Sequence, residues 1–331
     1  MSDFAASPAV RNRLLGRFAW FAVFYNVLVI LWGALVRATG SGAGCGNHWP
    51  LCNGQVIPVS PGIHTIIEFT HRMMTGGSTF IVLALLVWTF RATAKGQAAR
   101  WFAVASTVLL LNEALLGALL VKLGYVTDNQ SAGRMVVLSI HLSNTLLLVA
   151  ALTLTARFLT TLQRTDGLVG APGFGWAIAG LMATVGVGVS GSMAALGDTL
   201  FPATSLRAAY LQDFGAASPW LLRLRLVHPV SAVVAAIFVI WLVRRSSSAR
   251  ESGPPGGRTP FLAKLTAGLL VSQFALGLID VLLLAPAWMQ LVHLLGADLY
   301  WVALVLLAAE TVWPVVTARV ELPSGSATTL A

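Results

Sequence analysis

The chain has 331 residues, of which 57% are hydrophobic and only 10% are charged, and its mean hydropathy is +0.80. A soluble domain carries about a quarter charged residues, so this composition excludes one. Long apolar runs with few charges point to a polytopic membrane protein, and the lack of strand-like alternation argues against an outer-membrane barrel. The net charge is +9, yet no nucleic-acid-binding motif accompanies it. Basic residues gather in the cytoplasmic loops of membrane proteins, so the partner expected for this charge is a lipid bilayer and not a nucleic acid.

Residues 1–17, with Arg11, Arg13 and Arg17, form an expected cytoplasmic segment. A charged start before an apolar run resembles a signal peptide, but the run Phe18–Val36 is too long and no A-x-A site follows. It reads as a retained first span. Gly42-Ala43-Gly44-Cys45 has glycine where a lipoprotein cleavage box has a large aliphatic residue. A loop over 38–68 holds the two cysteines of the chain, in Cys45-Gly46-Asn47-His48-Trp49-Pro50-Leu51-Cys52. This short stretch fits a disulfide, which needs an oxidising compartment, and it also fits a metal or redox pair. His48 and His64 are expected to be solvated in the same loop.

The second span follows the ionisable cluster Glu68-Phe69-Thr70-His71-Arg72 and covers Met73–Phe90. The others are Trp101–Val121, Val136–Phe158, Trp176–Ala195, Leu224–Val243, Leu262–Leu284 and Met289–Ala309. Each approaches the roughly 20 residues that cross a hydrocarbon core as helix. The expected organisation is an amino-terminal four-helix bundle over 18–158, a cytoplasmic linker over 159–175, and a carboxy-terminal bundle over 176–317. A flexible loop at 246–260, rich in Ser, Gly and Pro, interrupts the second bundle, and a disordered tail covers 318–331.

Eight spans put both termini on one side. Of the 21 basic residues, 14 fall at the amino terminus, in the loops after spans 2, 4 and 6, and in the tail. The positive-inside rule therefore places both termini in the cytoplasm and Cys45 and Cys52 outside, where a disulfide persists.

The eight spans read as two tandem-duplicated groups of four. Span 3 contains Glu113-Ala-Leu-Leu-Gly117 and span 7 contains Gln273-Phe-Ala-Leu-Gly277. Thr70-His71-Arg72 in span 2 answers to Val227-His228-Pro229 in span 6. Ile140-His141-Leu142 in span 4 answers to Val292-His293-Leu294 in span 8. All four of these spans run from outside to inside, so His71, His141, His228 and His293 are expected within about the first turn of their helices, near the outer face. Two histidines leave a bare metal undercoordinated, but they suit both axial positions of a haem iron. Gly76, Gly77, Gly117, Gly277, Gly296 and Ala297 are small residues that leave room for a macrocycle, although such residues also serve ordinary helix packing. The halves differ at one place: Glu68 stands three residues before His71, whereas Arg225 stands three before His228. A carboxylate moves protons or stabilises a cation, and an arginine suits a propionate. Glu113, Asp280, Asp298 and Glu310 are further acids within the spans, for which a proton route and helix–helix hydrogen bonding are both open.

Glu68-x-x-His71-Arg72, Cys45-Gly46-x-x-Trp49-Pro50-x-Cys52, His141, His228-Pro229 and His293, in an eight-span duplicated chain, resemble the haem A synthase family, in a bacterial form with a single outer-loop cysteine pair. The resemblance covers about residues 18–315. It implies a membrane oxidoreductase that converts the C8 methyl of haem O to the formyl of haem A by successive hydroxylations, for use by a terminal oxidase. It implies that Glu68 is catalytic, that His71 and His141 receive the substrate haem O, that His228 and His293 are axial ligands of a haem b cofactor, and that Cys45 and Cys52 form the family's disulfide. Many relatives carry a second cysteine pair between spans 5 and 6; Gly197–Leu221 contains none here. The partners implied are a haem O synthase and an electron donor of unidentified nature, with a homo-oligomer compatible with the pattern. The location implied is the cytoplasmic membrane of a bacterium. Two other readings fit four histidines: a bis-histidine cytochrome that passes electrons, and a haem carrier.

Overall fold

The computed structural model describes residues 13–160, 174–216, 218–248 and 258–312. Residues 1–12, most of the linker 159–175, most of the loop 246–260 and the tail 318–331 lie outside that set. The described elements are α1 (Arg13–Ala38), α2 (Ile63–Ala92), α3 (Ala98–Lys122), α4 (Ala132–Thr160), α5 (Phe174–Leu200), α6 (Leu206–Phe214), α7 (Trp220–Arg223), α8 (Val227–Ser248), α9 (Thr259–Leu282) and α10 (Ala287–Val312). A 3-10 turn over Leu224–Leu226 joins α7 to α8. Eight helical stretches are long and apolar enough to cross a membrane: α1 to α5, the path Trp220–Ser246, α9 and α10. Among the described residues the one β-type pairing is an isolated bridge between Cys52 and Gln55. The chain is an all-α, multi-pass membrane protein.

Helix is what this sequence must form in a bilayer, because every backbone polar group has to be satisfied within its own segment. The hydroxyls inside the spans follow the same rule. Ser139 bonds back to Met135 O, Ser143 to Ser139 O, and Thr155 to Ala151 O.

Hydropathy alone misplaces the helix starts, most clearly in α2. That helix begins at Ile63, so the loop expected over 38–68 ends at Gly62, and His64 is an exposed residue of the helix. The helix continues past Glu68 and Arg72 because the two charges, four residues apart, pair with each other. The histidines accordingly lie deeper than one turn. His71, His141 and His293 are about two turns inside α2, α4 and α10, and His228 is about two turns inside the helical path that starts at Trp220.

Within the first four spans α1 packs on α2 and α4, and α3 packs on α2 and α4. Within the last four α5 packs on α8 and α10, and α9 packs on α8 and α10. α4 and α10 meet each other in the middle of the molecule. The larger core cluster brings Leu146 and Val149 of α4 against Tyr300, Trp301, Leu304 and Val305 of α10, and on to Ala177, Val239 and Ala263. A second cluster, Leu15, Ala19, Val82, Leu85, Leu110 and Leu152, fills the first group. Between apolar helices in lipid such packing acts through close van der Waals contact.

Candidate functional site

The loop before α2 folds down onto the first turns of that helix. Cys45 and Cys52 are joined by a disulfide (S–S 2.00 Å), and both are buried, at 0% and 1% exposure. Thr65 Oγ1 donates to Gly44 O (2.7 Å), and His64 Nδ1 lies 3.0 Å from Ser41 Oγ. Glu68 completes the attachment. Its Oε2 accepts the Cys45 N–H at 2.8 Å, and its Oε1 pairs with the guanidinium of Arg72. Arg72 Nη1 in turn donates to His48 O (2.6 Å) and Leu51 O (2.7 Å). Glu68, 3% exposed, therefore joins the disulfide loop to the helix that carries His71, with both oxygens accepting from fixed donors. Trp32 Nε1 donates to Ile67 O (2.9 Å), which holds α1 against α2 at the same level.

The four histidines divide by half. On α2, His71 packs its ring against Gly33 of α1, where a Cβ would stand 3.0 Å from His71 Cε1. On α8, His228 packs against Gly191 of α5 in the same way, with a Cβ at 2.9 Å from Cε1. Each glycine leaves the space into which the Cε1 edge of an imidazole comes against a neighbouring helix. On α10, His293 faces Gly277 of α9 at 3.4 Å by the same measure. The rings of His228 and His293 stand 6.3 Å apart, edge to face. Two metal–imidazole bonds of about 2 Å, with about 1 Å more from each nitrogen to its ring centre, set ring centres roughly 6 Å apart. The separation of the two ring centres matches that distance. His71 and His293 leave Nδ1 buried without a hydrogen-bond partner, His228 Nδ1 lies 3.3 Å from Ser190 Oγ, and His141 Nδ1 lies 3.2 Å from Glu113 Oε1, off the line of the N–H. Among the described residues no three of His, Cys, Asp and Glu gather to hold a bare metal ion. The donor set fits haem.

Arg225 has other work than a propionate. Its guanidinium donates to Gly197 O (2.7 Å) and Phe201 O (3.0 Å) and pairs with Asp198 (3.1 Å) and Asp213 (3.4 Å). Asp213, on α6 outside the spans, has its carboxyl pushed up by partial burial, with Arg225 pulling the other way. Glu310 pairs with Arg157 of α4 at 3.1 Å. Asp280 Oδ1 and Asp298 Oδ2 are buried without a hydrogen-bond partner among the described residues.

Gly33, Gly191 and Ser190 were not among the small or polar residues singled out by pattern. The signal for the glycines is their register, 38 residues before His71 and 37 before His228. Of the residues that were singled out, Gly277 does line a histidine. Gly77 instead receives Tyr25, Gly296 packs on Gln273, and Gly76 and Gly117 face open space.

The model of the COX15-CtaA family, described as cytochrome oxidase assembly protein, matches residues 16–305. The chain belongs to this family. A protoheme IX farnesyltransferase of Thermus thermophilus is similar to it, 44% identical over 303 residues, which is 90% of this chain and 48% of the relative. The heme A synthase of Alkalihalophilus pseudofirmus is 38% identical over 141 residues, 43% of each chain. That of Halalkalibacterium halodurans is 36% identical over 157 residues, 47% of this chain and 48% of the relative. The chain thus spans about half the length of the curated relatives it matches. Membership of the COX15-CtaA family agrees with the resemblance carried by Glu68-x-x-His71-Arg72 and the Cys45–Cys52 loop.

Proposed function

We propose that this protein is a haem A synthase, oxidising the C8 methyl of haem O to the formyl of haem A. The methyl is hydroxylated twice, and the resulting gem-diol loses water. The observation that carries the reading is the buried carboxylate of Glu68, one helical turn from His71, in a chain similar to proteins named heme A synthase. The first four spans are then the reacting half, with His71 and His141 toward the substrate haem. The last four are a duplicate that holds a haem b between His228 and His293. The like pairing order of the helices in both groups and the equivalent placing of Gly33 and Gly191 support that duplication.

When bound, the haem b would relay electrons between the site where the methyl is oxidised and an external redox partner. The residues of the chain do the rest. Glu68 is held in place by Cys45 N–H and Arg72 on its two oxygens, and in the reaction it would exchange one of these donors for a proton or for a cation developing on the substrate carbon. The loop over Glu68 keeps water from that carboxylate. The distribution of the basic residues supports an orientation with both termini in the cytoplasm and the histidines toward the outer face of a bacterial inner membrane. A haem O synthase is the partner that supplies substrate; the Thermus relative carries the name protoheme IX farnesyltransferase.

The test is extraction of haems from cells that express this protein with and without haem O supply. Haem A, or the alcohol on the way to it, is expected only when both are present. Its absence with haem O in hand overturns the reading.

A further inference from the structure

Glu113 of α3 takes no part in the proposed reaction, yet it faces a proposed ligand. Three side chains of α4 converge on its carboxylate: Asn144 Nδ2 and Thr145 Oγ1 donate to it, and His141 Nδ1 stands 3.2 Å from Oε1. Positions 141, 144 and 145 share one face of a helix, so the whole face of α4 is turned to this acid. The Asn144 amide also donates to Leu109 O (2.8 Å), and Asn112 Nδ2 donates to Asn144 Oδ1 (2.8 Å). The carboxylate is thereby fixed in place before any ligand arrives.

Among the described residues nothing equivalent stands behind the other three histidines. Nδ1 of His71, His141 and His293 alike lacks, among the described residues, a hydrogen bond of good geometry, but only that of His141 stands beside a carboxylate, while His228 has the neutral hydroxyl of Ser190. The residue that answers to Glu113 by register in the second half is Gln273, an uncharged amide whose Nε2 has no hydrogen-bond partner. A group that accepts the second N–H of a ligand histidine fixes its tautomer and raises its basicity, and a carboxylate does so most strongly.

We propose that Glu113 is the positioning residue of His141: its carboxylate takes the Nδ1–H of the imidazole, turns Nε2 toward the haem iron, and makes His141 the most electron-donating of the four ligands. A slight turn of the ring brings the N–H onto the Oε1 line. The proposal rests on the haem reading given above. It adds that the two halves differ in the electron richness of their iron, through one acid on α3 against one amide on α9.

The experiment is reductive titration of the purified protein loaded with haem, reading the two haems separately by absorbance and electron paramagnetic resonance. His228→Ala, which empties the second site, assigns the signals. Glu113→Gln keeps size and an acceptor oxygen but removes the charge. It should raise the midpoint potential of the first-half haem and weaken its retention by about 10- to 100-fold, with the second-half haem unchanged as the control for folding. Glu113→Ala should do the same to a greater degree. An unchanged potential and retention in Glu113→Gln overturn the proposal and leave Glu113 as a tie between α3 and α4. If wild-type protein holds no haem through His71 or His141, the underlying reading fails instead, and the wild-type spectrum separates the two failures.

Discussion

The approaches to His71 and to His228 start from the same plan and end with opposite charge. In α2 the residue one turn before the ligand is the acid Glu68, held by a base, Arg72, and by the backbone of the disulfide loop. Before α8 it is the base Arg225, held by two acids, Asp198 and Asp213, and by two carbonyls. Both histidines lie against a glycine of the preceding span, Gly33 or Gly191. The cradle for the imidazole is common to both halves, and the charge above it is what differs. Keeping a cofactor requires the cradle alone, whereas the proposed reaction requires the acid as well.

Five substitutions press on that comparison, from the largest expected effect to the smallest. Glu68→Gln should reduce haem A formation by about 10²- to 10⁴-fold, the range for a positioned carboxylate, while total haem content stays near wild type. Turnover at the wild-type rate would return Glu68 to a purely structural part in the loop. His293→Ala should remove most of the low-spin absorbance assigned to the second half and leave substrate haem binding to the first; loss of both spectra together would break the division of labour. Gly33→Val and Gly191→Val should each weaken haem binding in their own half only. Overpacking of about 1–3 kcal/mol corresponds to about 5- to 150-fold in affinity, measured by haem titration of each variant. Ser190→Ala removes one neutral hydrogen bond, worth about 1 kcal/mol, and should weaken only the second haem, by about 5-fold in the same titration.

Much of this was legible from residue type and spacing. Eight apolar runs, four histidines in matching order and the Glu68-x-x-His71 motif are local patterns, and the helices carry them as read. Helix starts were less legible, because hydropathy treats a charge as the end of a span. Glu68 and Arg72 cancel each other's cost by pairing, and α2 runs on through them to Ile63. The environment of Glu113 was not legible at all, since its partners Asn144 and Thr145 sit 31 and 32 residues away on another helix. Arg225 looked available for a propionate for the same reason: Asp198 and Asp213 come to it from α5 and α6.

The contacts between the halves bear on how the molecule can move. At one end of the bundle Arg37 of α1 donates to Ala195 O (2.6 Å) and Thr199 Oγ1 (2.8 Å) of α5 and to Gln290 Oε1 (2.9 Å) of α10. In the middle, Trp301 Nε1 of α10 donates to Leu146 O of α4 at 2.8 Å. At the other end Arg157 of α4 pairs with Glu310 of α10. A machine that carries cargo by alternating access rocks one repeat against the other, opening first one face and then the opposite one. Here rocking toward either face would pull apart an arginine and its partners, and the indole bond at the fulcrum would have to shear. The two halves are stitched at three depths, which suits the fixed separation that the proposed reaction needs better than the rocking that a carrier needs.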